Sequence, residues 1–308
     1  MKSEYCIKVH YMDYKKIDFT NVQLRPFCVD GHADSLLPSD RKWKLVWNDE
    51  FDGERLDDDK WMFRLNFWGK PAVQFCDKGV KLDGKGNLHI SPVLMDDGRI
   101  CSAQLQTASL TYDAPKKKSE EINVTGSGDN FEWPFGDIVA PKFMHRYGYY
   151  EVRCKLQNDR SRCWWSAFWL QSTNTGSAPK AEYCGVECDI MEYFSDDVLT
   201  CGCFYDGYSK TSLKVAGRVH YDIPKPDPDG YYRFGLLWDK DKYVYYCNGV
   251  EISRVTSPVS QVEQFIILST EVQGYRRGDG KHYKEGAEGI LDDEFIVDYV
   301  RVFDAEEN

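Results

Sequence analysis

Three carboxylates crowd into the run Gly185-Val186-Glu187-Cys188-Asp189-Ile190-Met191-Glu192-Tyr193, among apolar neighbours. Acidic residues are depleted in strands unless packing or chemistry demands them, and their spacing shows which backbone could gather them. On a helix, neighbours on one face lie three or four positions apart, a pattern that Glu187 and Glu192 do not fit. On a strand, side chains alternate between faces, so Glu187, Asp189 and residue 191 share one. Residue 191 is methionine, and the third acid follows at Glu192. One β-bulge between Asp189 and Glu192 absorbs the extra residue and returns Glu192 to the acidic face. The run therefore predicts a bulged strand, and bulges are over-represented beside active sites because they re-aim side chains.

Two carboxyl groups flanking a bond are the usual machinery of glycoside hydrolysis. With one residue lost to the bulge, the outer glutamates lie ~13 Å apart at Cα, at ~3.3 Å per strand step. Side chains leaning together on a concave sheet could narrow this to the ~5–5.5 Å that suits retention, against ~6.5–9.5 Å for inversion. The spacing alone leaves both outcomes open. Asp189 between them couples to both, so the protons belong to the set, and at least one carboxyl is held above its ordinary range. An exposed strand face that merely carries charge is the plainer reading, since charge protects edge strands. It accounts for one or two acids, and less well for three set between Val186, Ile190, Met191 and Tyr193-Phe194.

The rest of the chain reads as strands. From Trp43 on, short runs rich in Val, Ile, Tyr and Phe are separated by Gly, Asp, Asn and Pro. The Asn248-Gly249 pair after Tyr243-Val244-Tyr245-Tyr246 is a two-residue hairpin signal. Long helical periodicity and internal repeats are missing. The predicted fold is all-β, an antiparallel β-sandwich with one concave face forming a cleft. The 308 residues divide into an N-terminal extension, 1–40, packing on the sandwich, and a catalytic sandwich domain, 41–308. Within the extension Ile7-Lys8-Val9-His10-Tyr11 alternates like a strand. Polar, Gly-rich segments at 114–137 and 275–289 are expected to be loops over the cleft.

Lys plus Arg against Asp plus Glu is 39 against 50, a net charge of −11, which argues against nucleic acid as a partner. Arg276-Arg277 could still make the cleft locally basic. The start of the chain lacks the apolar core of a signal peptide, and no stretch reaches membrane-spanning length. Localisation stays open between the cytoplasm and the mature part of a secreted protein. Eleven cysteines form no regular disulfide framework. Cys201-x-Cys203 and Cys184-x3-Cys188 have no second ligand pair, so zinc is not expected. No cofactor is required, and the chain is read as a monomer acting on a polysaccharide or oligosaccharide. Most of the nine Trp, twenty Tyr and sixteen Phe fill the core. Trp68, Trp133 and Trp164 sit in segments that suit sugar-stacking platforms on loops.

The acid run resembles the signature Glu-x-Asp-x-x-Glu of glycoside hydrolase family 16 in its bulged form. Other segments resemble the family in the same order: Trp43-Lys44-Leu45-Val46-Trp47-Asn48-Asp49-Glu50-Phe51-Asp52-Gly53, Tyr147-Gly148-Tyr149-Tyr150-Glu151-Val152-Arg153-Cys154-Lys155-Leu156, Trp165-Ser166-Ala167-Phe168-Trp169-Leu170 and Val297-Asp298-Tyr299-Val300-Arg301-Val302-Phe303. The resemblance implies a concanavalin-like jelly roll of the laminarinase and agarase kind, and a retaining enzyme. By position, Glu187 is the expected nucleophile, Asp189 its tuner, and Glu192 the general acid and then base. Trp165 and Trp169 are expected to line the subsites beside the cut, with Asn66, Trp133 and Glu271 as further substrate contacts. A structural calcium would be compatible with the family, although no ligand set announces it. Two departures stand out. Cys188 replaces an aliphatic residue and should pack as a small hydrophobe on the opposite face. Phe204 stands where a histidine often helps to bind sugar. The implied substrate is β-1,3-glucan of the laminarin type, cut internally. A β-galactan or transglycosylation is the alternative, and a binding-only module fits less well because it has no use for both Glu187 and Glu192.

Overall fold

The computed structural model describes residues 13–67, 70–71, 74–111, 113, 139–158, 164–195, 198–207, 213–272 and 287–306. The expected strand at residues 7–11, Trp68, Trp133, Arg276-Arg277 and most of both expected cleft loops lie outside them.

Two eight-stranded sheets face each other, antiparallel apart from one edge pairing. The first is ordered Asp13–Tyr14, Lys214–Asp222, Val198–Tyr205, Glu187–Ser195, Trp164–Gln171, Phe265–Val272, Gln104–Gln106, Met62–Phe63. The second is ordered Val250–Val255, Lys242–Cys247, Tyr232–Asp239, Gly148–Lys155, Phe295–Ala305, Leu88–Ile90, Val80–Leu82, with Trp43–Asp49 also paired to Phe295–Ala305. Neither sheet closes on itself. The expected β-sandwich is what the chain forms.

Alternation decides what lies between the layers. From the first sheet, Phe168, Leu170, Cys188, Ile190 and Leu268 enter one large core; from the second, Tyr150, Val152, Leu236, Trp238, Val300 and Val302 meet them. Each fully buried side chain of this size contributes about 1.5–3 kcal/mol by leaving water. Truncating Phe168, at 0 % exposure in a central strand, removes more, about 3–5 kcal/mol, because the neighbours cannot collapse into the gap.

Trp164 corrects one expectation. It opens the strand Trp164–Gln171 and is fully buried in the main core, so it cannot serve as a loop platform for sugar. The Gly- and Pro-poor run that follows it already belonged to a central strand, where both faces are covered.

Residues 13–40 lie against the sandwich. Asp13 and Tyr14 pair in parallel with Val219 and His220. The hairpin Arg25–Phe27 with Ser35–Leu37 brings Leu24 and Leu37 into a second apolar cluster with Trp43, Tyr149 and Phe303.

Candidate active site

The strand Glu187–Ser195 lies between Trp164–Gln171 and Val198–Tyr205, and its register slips against both. Trp169 pairs with Asp189 but Phe168 pairs with Met191. On the other side Asp189 pairs with Gly202 while Glu192 pairs with Thr200. The extra residue therefore falls at Ile190 and Met191, and both of these apolar side chains join the core with Cys188 and Tyr193. Glu187, Asp189 and Glu192 are left for the other face of the sheet. The bulge exists because two consecutive apolar residues gain more by entering the core than regular pairing would return.

A second irregularity sits on the neighbouring strands. Cys201 pairs with Val219 and Cys203 with Ala216, so Gly217 and Arg218 stand opposite the single residue Gly202. Gly202 has φ +150°, and a Cβ there would lie 2.6 Å from the Arg218 Cα. Gly217 has φ +61°, and a Cβ there would lie 2.2 Å from Val255 Cγ2. Only glycines tolerate both the backbone and the closeness. Together they set Arg218 on the acid-bearing face. Its Nη1 donates to Asp189 Oδ2 at 3.0 Å and its Nη2 to Glu192 Oε2 at 2.8 Å. The guanidinium carbon lies 4.6 Å from the centre of the Phe204 ring. The phenylalanine in place of a sugar-binding histidine is thus the shelf on which this arginine rests.

Glu187 accepts a hydrogen bond from Gln171 Nε2 at 2.8 Å. Asp189 and Glu192 are buried at 3 % and 8 % exposure, whereas Glu187 is half-buried. Burial, followed by repulsion from Glu192 and Glu187, pushes the Asp189 carboxyl well above the usual range, against the opposing pull of Arg218.

The flanking strand supplies the tryptophans. Trp165 is in register with Glu271 and stacks on Phe194 at 5.2 Å between ring centres. Trp169 donates from Nε1 to Ser269 Oγ at 2.9 Å. Both are largely covered, at 2 % and 8 % exposure. Glu271 accepts from Gln104 Nε2 at 2.9 Å. The structure thus gathers Glu187, Asp189, Glu192, Trp165, Trp169 and Glu271 on one sheet face. Asn66 is placed elsewhere, half-buried in a separate ribbon in which Asn66–Phe67 pairs with Lys70–Pro71. Cys188 packs as expected, fully buried, with its Sγ 3.2 Å from Tyr245 Oη. Among the described residues no three His, Cys, Asp or Glu side chains group to hold a metal ion, and no helix is long and apolar enough to cross a membrane.

Arg218, Gln171 and the pair Thr200–His220, whose Oγ1 and Nδ1 lie 2.8 Å apart beside Glu192, escaped the reading of the sequence. Arg218 had a signal. In Lys214-Val215-Ala216-Gly217-Arg218-Val219-His220-Tyr221-Asp222 the glycine inside an alternating strand marks a bulge or a close approach, and the arginine follows it directly. Gln171 carried none, since its role appears only when two strands lie side by side.

This geometry meets independent matches. A sequence model described as "Glycosyl hydrolases family 16" matches residues 97–279, more than half of the chain. Endo-1,3-1,4-beta-glycanase EglC of Rhizobium meliloti (strain 1021) is 24 % identical over 266 residues, 84 % of this chain and 51 % of its own length. The chain therefore spans about half the length of that relative. Glucan endo-1,3-beta-glucosidase of Cryptopygus antarcticus is 25 % identical over 303 residues, 92 % of this chain and 97 % of its own. In three dimensions the chain superposes on the catalytic domain of an endo-1,3-beta-glucanase (laminarinase) from Thermotoga petrophila RKU-1. The TM-score is 0.60 at 23 % identity, covering 87 % of this chain and all of that one. With its acid run inside the matched segment and its fold that of a solved laminarinase domain, the chain belongs to glycosyl hydrolase family 16.

Proposed function

We propose that the chain is a retaining glycoside hydrolase that cuts β-1,3-glucan internally, with Glu187 as nucleophile and Glu192 as acid and base. The observation that carries this reading is the bulge, which leaves both glutamates on one face of the sheet with Asp189 between them. In the first half-reaction a Glu187 carboxylate oxygen attacks the anomeric carbon. The glycosidic oxygen leaves with a proton from Glu192, and a glycosyl ester forms on Glu187. In the second, Glu192 takes a proton from water as its oxygen attacks the same carbon, the ester bond breaks, and the product keeps the β configuration.

Asp189, its carboxyl pushed up by burial and by the two glutamates on either side, is the tuner between them. Gln171 fixes one oxygen of Glu187, so the attacking carboxyl does not rotate freely. Preorganised donors of this kind act without reorganising during the reaction. The choice of β-1,3-glucan rests on the relatives, one named for 1,3-1,4-linked and one for 1,3-linked glucan. A test is hydrolysis of laminarin followed by proton NMR. The first product should be the β-anomer, before mutarotation; an initial α-anomer means inversion and a wrong role for Glu187. No cleavage of laminarin, with cleavage of a β-galactan instead, would move the substrate and leave the mechanism in place.

A further inference from the structure

Among the described residues Arg218 is the arginine placed between two members of the acid trio, and neither the nucleophile nor the acid role accounts for it. Its position is built rather than incidental. It needs a glycine at 202 facing it, a glycine at 217 before it, the mismatch of two residues against one, and the Phe204 ring beneath it. Its side chain is 11 % exposed and each of the acids it touches is less so. A forked guanidinium can hold two carboxylates at once in fixed orientation, which a lysine cannot do.

Resting on the catalytic reading above, we propose that Arg218 is a positioning residue: its fork clamps the Glu192 carboxyl against Asp189 in the orientation that the acid and base steps need. The groups facing Glu192 make the cation decisive. Its own strand offers Glu187 and Asp189. On the side of Val198–Tyr205 stand the neutral Thr200 and, one strand further, His220. The strand Trp164–Gln171 turns Trp165, Ala167 and Trp169 to this face, none of them charged, and beyond it lies Glu271. Arg218 is therefore the permanent positive charge among the described groups on this face near Glu192. A fork at hydrogen-bond distance from both carboxyls holds the Glu192 oxygens in one orientation through both halves of the cycle.

The test is steady-state kinetics on laminarin, with kcat and KM read apart, for the full chain and for Arg218→Met, Arg218→Gln and Arg218→Lys, with circular dichroism melting as a check on folding. In Arg218→Met kcat should fall about tenfold or more while KM changes little, as expected when a catalytic group loses its orientation and ground-state binding is kept. Arg218→Lys should leave kcat low, because the charge is back but the fork is not. Arg218→Gln, similar in length but uncharged, should follow Arg218→Met and stands in for it if the methionine variant does not fold. A folded Met or Gln variant with kcat near that of the wild type, or with KM changed in place of kcat, overturns the proposal and leaves Arg218 a brace for the bulge. A wild-type protein inactive on every β-glucan and β-galactan instead sinks the catalytic reading, and the proposal with it.

Discussion

Two of the groups of carboxylates buried among the described residues are treated in opposite ways. In the second sheet, Arg301 is fully buried and uses four of its five N–H donors. Nε and Nη2 fork onto Glu50 at 2.8 and 2.7 Å, and Nη1 donates to the Ala33 carbonyl and to Ser35 Oγ. Burial raises the Glu50 carboxyl, but Arg301 and Asn48 outweigh it and hold it below its usual range. In the first sheet three acids share one arginine. The first arrangement is neutral overall and satisfied, and it looks like structure. The second crowds three acids of one strand around a single arginine in a covered place, at a cost that folding alone has no reason to bear. Crowding of like groups within one strand, more than burial or acidity, separates the candidate site from the Glu50 group.

The largest expected effect breaks the comparison at the crowded group. Glu187→Ala and Glu192→Ala should each remove hydrolysis by several powers of ten, on the scale of losing a nucleophile or an acid catalyst. The melting temperature of Glu187→Ala should stay level or rise, because a repulsive partner is gone. Turnover near that of the wild type in either variant refutes the assigned roles. The scaffold group should respond in the reverse sense. Arg301→Met strands Glu50 in a buried place and should cost about 3–5 kcal/mol in denaturant unfolding, without changing the position of the pH limbs of any residual activity. A loss under about 1 kcal/mol, the range of an exposed pair, would show that the Glu50 site is wetter than its burial suggests.

How much of this was legible beforehand follows from what is local. The bulge could be read from the sequence because period two and the spacing of Glu187, Asp189 and Glu192 conflict within one strand. The sandwich could be read for the same reason, from alternation and the Asn248-Gly249 turn. Trp164 was misjudged because its segment was read as a polar loop, while its burial depends on the strand Phe265–Val272 beside it, a contact made across more than a hundred positions. Arg218 and Gln171 depend likewise on which strands become neighbours. Phe204 could be identified as a departure, but its use as a shelf for a guanidinium needed the second bulge on Lys214–Asp222. Alternation shows which face a residue takes; strand order decides what it meets there.

A subtler contrast lies within the second sheet. Glu151 is fully buried beside the Arg301 group, taking a hydrogen bond from the Leu36 amide at 2.8 Å and another from the Tyr299 hydroxyl. Both bonds favour its ionised form, as do Arg233 and Arg301, yet burial is the larger effect and pushes its carboxyl up to about 7 from the usual 4.5. The sign of the pH dependence follows. Between about 4.5 and 7 the folded protein holds a proton on Glu151 that the unfolded chain has released, so stability contributed by this group is present below that window and lost as pH rises through it. At 1.36 kcal/mol per pH unit the swing is at most ~3 kcal/mol. Glu151→Gln accepts a permanent neutral state and should remove this slope. Urea unfolding at pH 4.5 and pH 7.5 measures it: the wild type should lose more stability than the variant over that interval. Equal losses would place Glu151 with Glu50 as an ionised and satisfied carboxylate, and would leave Asp189 as the buried carboxyl whose neighbours and burial push it up.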